Sequence, residues 1–67
     1  MNNCPLSPKQ LEVVQFLADG KTQTEIAMIT NRARNTITGY VLDCHVAAGT
    51  YTMHGLVGMA LRNGWVQ

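Results

Sequence analysis

Ser7 and Thr22 each stand three residues ahead of a side chain, Gln10 and Glu25, that can reach back to them. This is the capping-box signature, in which two helix-terminal N–H groups are satisfied reciprocally. Two such boxes with Gly20 between them confine the first part of the chain to two short helices joined by a tight turn. Around the first box the signals agree. Pro8 suits the first helical position. Leu6 and Leu11 are placed for a hydrophobic staple. Val13, Val14, Leu17 and Ala18 form an apolar stripe at helical spacing. The first helix is expected over Pro8 to Asp19. Beyond Thr22, the apolar positions Ile26, Ala27 and Ile29 mark a short second helix.

The next stretch, TNRARN, has no apolar residue except Ala33 and reads as a turn. A third helix is expected over Arg34 to Ala48. In it Ile37, Tyr40, Val41, Cys44 and Ala48 fall at i, i+3, i+4, i+7 and i+11, the pattern of a buried stripe. Its weak point is Gly39, since glycine inside a helix costs about 1 kcal/mol relative to alanine. Gly49 ends this helix and Thr52 caps a fourth, with Leu56, Val57, Ala60 and Leu61 as its inner face. Gly64 stops the fourth helix, and Trp65 and Val66 can fold back as a plug. No strand pattern occurs. The expectation is an all-α, compact four-helix domain over residues 6–67 behind a short tail over residues 1–5. The brief turn between the second and third helices makes a helix-turn-helix.

A chain of 67 residues holds one small core. Such a core rarely supplies more than roughly 3–5 kcal/mol, so self-association is a natural support. Only 13% of residues are charged, which leaves neutral and apolar groups on the surface and favours association. The net charge of +1 is not the basic excess of an obvious nucleic-acid binder, so the placement of charge must decide. Lys21, Arg32 and Arg34 cluster around the predicted turn. No apolar run reaches the roughly 18 residues of a membrane span, and no secretory signal opens the chain. A cytoplasmic, nucleoid-associated location is expected. Cys4 and Cys44 are read as free thiols. Cys44 and His45 point in different directions, His54 lies in another helix, and no paired ligand motif is present. Neither a metal, a cofactor nor an enzymatic activity is expected.

The motifs LSPKQLEVVQFLADGKTQTEIA, NTITGYV, Gly49 and ALRNGW resemble the LuxR-type (GerE-like) helix-turn-helix domain of bacterial regulators, in register from Leu6 to Val66. The resemblance implies that the second and third helices form the DNA-binding unit, that the third enters the major groove, and that the fourth pairs two copies. It also implies a free-standing module, since the sensor or receiver domain of full-length members is missing from this sequence. The chain departs from the family in its turn. Where the family has Leu-Gly-Ile-Ser, this sequence has Thr30, Asn31, Arg32 and Ala33. Two apolar core positions become polar, and the usual N-cap becomes Ala33, with Asn31 or Asn35 as substitutes at a shifted start. The family often has basic residues at Thr38, Leu42 and Val46, an asparagine at Gly39, a histidine at Tyr40 and an acidic residue at Gly55.

By that alignment Thr38, Gly39 and Leu42 occupy the reading positions. Threonine can bond a base edge or touch a methyl, leucine offers only apolar contact, best with thymine, and glycine offers close backbone approach. Arg32 or Arg34 can supply an arginine–guanine contact, and Asn35 can pair with adenine. Lys21, Gln23, Thr24, Asn35 and Thr36 are candidates for phosphate contact; the plainer reading of Gln23 and Thr24 is a solvated first turn. Met53, Val57 and Leu61 are the candidates for the dimer interface. Two functions follow. One is a transcriptional regulator, a homodimer on double-stranded DNA. The other is a protein-interaction module that pairs with and antagonises full-length LuxR-type regulators, drawing on Leu42, Val46, Phe16, Met28 and Met53 as surplus apolar side chains. RNA polymerase is a further expected partner of the first.

Overall fold

The computed structural model describes residues 4–67. Its helices are α1 (Pro8–Ala18), α2 (Gln23–Thr30), α3 (Arg34–Ala48) and α4 (Met53–Arg62), with no strand among the described residues. The helix starts are those the caps dictate. Ser7 Oγ accepts from the Gln10 N–H at 3.3 Å while the Ser7 N–H donates to Gln10 Oε1 at 2.9 Å. Thr22 and Glu25 repeat this at 3.1 and 2.8 Å. The backbone N–H of Thr22, followed by its hydroxyl, holds the Glu25 carboxyl below the usual carboxylate range. Thr52 Oγ1 caps α4 through the Gly55 N–H at 3.0 Å.

The core has two parts, and α3 belongs to both. Val13, Ile26, Ala27, Ile37 and Val41 join α1, α2 and the first half of α3. Leu6, Val14, Cys44, Leu56, Ala60 and Val66 join α1, the second half of α3, α4 and the chain ends. The neighbours Val13 and Val14 therefore face different clusters, because successive residues on a helix project about 100° apart. The expected C-terminal plug forms. Gly64 turns the chain at φ +71°, the Trp65 N–H donates to the Ala60 carbonyl at 2.9 Å, and Val66 is buried. The Gln15 side chain then holds Gln67 from both sides, accepting from its N–H at 3.0 Å and donating to its carbonyl at 2.8 Å.

Both described cysteines are free thiols. Cys44 is fully buried, and burial pushes its thiol up to about 11, with Asp43 adding to the shift. It is a packing residue. Cys4, placed by its position in the tail, packs against the same cluster; residues 1–3 of that tail lie outside the described residues.

Ile29, one of the apolar positions that mark α2, is 54% exposed, because α3 and α1 cover only the Ile26–Ala27 side of this short helix. Three apolar assignments are corrected. Leu61 was expected on the inner face of α4 but is 48% exposed, while Leu56 and Ala60 on that face are fully buried. Phe16 and Met53 were expected as surplus surface groups but pack onto the α1–α2–α3 cluster.

Candidate nucleic-acid interface

The turn between α2 and α3 is built by residues that sequence alone made look unfavourable. Asn31 closes α2 in the left-handed region, at φ 55° and ψ 46°. Asparagine, with its short polar side chain, is the usual alternative to glycine in that conformation, so it serves where the family has glycine. This excludes Asn31 as a substitute cap for α3. Asn35 does not cap it either: α3 starts at Arg34, with Ala33 at the N-cap and no side-chain cap. Thr30 satisfies its own hydroxyl by donating to the Ile26 carbonyl at 2.7 Å.

The missing cap yields a direct prediction. Ala33→Ser is expected to stabilise the domain by about 1 kcal/mol, raising the melting temperature by roughly 4–8 °C. Calorimetry or a circular-dichroism melt checks it; an unchanged or lower melting temperature would mean that the extended conformation of Ala33 does not present a hydroxyl to the first turn.

Arg32 differs from the other expected DNA contacts in having partners within the domain. Its Nη1 lies 3.2 Å from Glu12 Oε1 on α1, and its guanidinium carbon is 5.6 Å from the centre of the Tyr40 ring. The arginine stem replaces an apolar core residue of the family, and its head ends on a carboxylate and an aromatic face. Its charge is thus matched within the domain. Lys21 and Arg34 are the cations left exposed at this end of the helix-turn-helix.

The other expected contacts lie on α2, on α3 and in the turn before α2, around one close link. Thr38 Oγ1 donates to Gln23 Oε1 at 2.9 Å, which ties the first residue of α2 to the second turn of α3. Lys21, Thr24, Arg34, Asn35 and Thr36 are exposed, while Gln23, Thr38 and Gly39 are half-buried. With no side-chain cap on α3, its first N–H groups stay open to solvent or to an anion. Gly39 borders open space: a Cβ built there meets nothing within 4 Å. The fold therefore has no need of a glycine at this position. Leu42, one turn further along α3, is 59% exposed.

The expected pairing residues of α4 are less uniform. Met53 and Val57 are half-buried, and Leu61 is the most open of the three. With Leu17, Gly20, Lys21, His54 and Gly58 they line a shallow groove of about 420 Å³ between α4 and the end of α1. A second groove, of about 480 Å³, is lined by Leu42, His45, Val46, Gly49, Thr50 and Tyr51. Val46 is 84% and Tyr51 97% exposed. Tyr51 went unnoticed in the sequence because it lies in the α3–α4 turn, outside any helical stripe. That turn is drawn together by Gly49 at φ +69° and by a 2.8 Å contact between His45 Nδ1 and Thr50 Oγ1. Among the described residues no group of three or more His, Cys, Asp or Glu side chains is placed to hold a metal ion. No helix is long and apolar enough to cross a membrane.

Comparison with curated proteins and with solved structures finds no match. The family model described as bacterial regulatory proteins, luxR family (GerE), matches residues 4–44, which take in α1, α2 and most of α3 but not α4. That span is most of the chain and contains α2, the turn after it and most of α3. The chain accordingly belongs to the luxR family of bacterial regulatory proteins, a family of DNA-binding helix-turn-helix domains.

Proposed function

We propose that this protein is a small transcriptional regulator that binds double-stranded DNA as a homodimer, with α3 in the major groove and α4 pairing the two copies. The observation that carries this reading is the junction of α2 and α3. The 2.9 Å Thr38–Gln23 bond fixes the reading helix against the start of α2, with Lys21, Thr24, Arg34, Asn35 and Thr36 exposed on these segments. Phosphates are held by the exposed N–H groups, the neutral donors and the two cations. Gly39 supports the reading too. A helix-interior glycine costs about 1 kcal/mol, nothing in the fold requires it, and close approach of backbone to a ligand is a use that does.

Salt dependence tests this. A dimer using Lys21 and Arg34 in each chain neutralises about four phosphates, giving a slope of log affinity on log salt of roughly −3.6. Counting Arg32 as well raises this to roughly −5.4. Arg34→Ala is expected to weaken binding and flatten the slope by roughly 1.8, since one cation is lost from each chain. Arg34 is exposed, so the circular-dichroism spectrum should not change. Fluorescence anisotropy between 50 and 200 mM salt reads the result, and an unaltered slope would remove Arg34 from the interface.

The exposed apolar group Leu42, Val46 and Tyr51 favours a second reading, a module that binds another LuxR-type regulator. The same titration separates the two. Absence of any salt-dependent binding to DNA supports the module.

A further inference from the structure

We propose that α3 reads thymine through its C5 methyl group, with Leu42 as the specificity-determining residue. The proposal rests on the DNA-binding reading above and deepens it. Arg34, Thr38, Leu42 and Val46 follow one another at four-residue spacing along α3, and each keeps exposed surface. On this ridge Arg34 alone carries a charge, and it stands at the start. Thr38 already donates its hydroxyl proton to Gln23 at 2.9 Å. It retains for a base only a methyl and an acceptor lone pair. Leu42 has neither donor nor acceptor and projects at 59% exposure, outside both core clusters.

In the major groove every base pair presents hydrogen-bonding groups, and thymine alone adds an exposed methyl. Leucine pressed against guanine, cytosine or adenine would strip water from donors or acceptors and return no partner. Against thymine it buries a methyl. The chemistry of the ridge therefore selects its ligand. Four residues of helix advance about 6 Å, and base pairs are about 3.4 Å apart. Thr38 and Leu42 thus address positions about two base pairs apart, the second of which is assigned here to thymine. Open space over Gly39, between them, lets the helix approach closely enough for methyl contact.

The test uses the purified protein and a duplex recovered from a random-sequence library at low salt. Its affinity is compared with that of the same duplex carrying 2′-deoxyuridine for thymine in both half-sites, which removes only the methyl. Burial of one methyl corresponds to about a four-fold change in affinity. One contact per half-site predicts roughly a sixteen-fold loss for the dimer. Deoxyuridine placed outside the half-sites should change nothing. Leu42→Ala should bind both duplexes equally with an unaltered salt slope, and Leu42→Met, which keeps an apolar tip, should retain the preference. Equal affinity of the wild type for the two duplexes overturns the proposal. So does an undiminished preference in Leu42→Ala, or an equal loss from deoxyuridine outside the half-sites. Each of these leaves DNA binding itself standing. Failure to retain any duplex sinks both readings.

Discussion

Ile37→Ala is expected to leave the domain largely unfolded at 25 °C. Ile37 is fully buried where α3 meets Val13, Ile26, Ala27 and Val41. Truncating such a side chain typically costs 2–5 kcal/mol, the lost transfer free energy plus the cavity left behind. A single core of this size supplies roughly 3–5 kcal/mol in all. The two magnitudes are comparable, so one substitution removes most of the stability. The site also limits relaxation. Ile37 is in the first turns of α3, and α3 is shared by both clusters, so the helix cannot shift to fill one cavity without opening the other. Far-UV circular dichroism should show loss of helix, and urea titration should show a midpoint near zero. A cooperative melt close to that of the wild type would mean that most of the stability lies in the α1–α3–α4 cluster.

Leu61→Glu is expected to separate the two copies and to reduce operator affinity by two to four orders of magnitude. Leu61 is half-exposed on α4 and belongs to neither core cluster, so the fold should tolerate the change. In a twofold interface the same patch meets itself, and the substitution introduces a carboxylate on each side. Apolar contact is exchanged for like-charge repulsion. Linked half-sites gain about 10²–10⁴ in affinity through effective concentration, and a monomer forfeits that gain. Analytical ultracentrifugation should report a monomer, and anisotropy should report weak binding to the selected duplex. Persistence of a dimer would place the pairing surface elsewhere, with Val46 and Tyr51 as the next exposed apolar group.

Much of the architecture was legible because its signals are local. Each capping box lies within four residues, and both formed as read. The Arg34–Ala48 bounds of α3 were set by a turn without apolar residues and by a glycine that takes positive φ. The buried Ile37, Val41 and Cys44 came from helical spacing alone. Spacing does not say which apolar positions of a short helix, packed on one side only, are covered. Ile26 and Ile29 are three residues apart on α2, yet one is fully buried and the other is 54% exposed. The site was less legible than the fold. Arg32 carries the same charge as Arg34 two residues later, but its partner Glu12 is twenty residues away on another helix.

The sequence by itself determined where helices begin and end and which stripe of α3 is buried. These depend on residues within about one helical turn of each other, and local chain geometry makes their consequences nearly independent of the rest of the molecule. Tertiary structure alone decided that Arg32 is matched by Glu12 and Tyr40, that the Thr38 proton goes to Gln23, and that Tyr51 stays uncovered. Each of these depends on which surfaces meet when the helices pack. A side chain's charge or polarity says what it can bond, and only the packed chain says what it has already bonded and what is left for DNA.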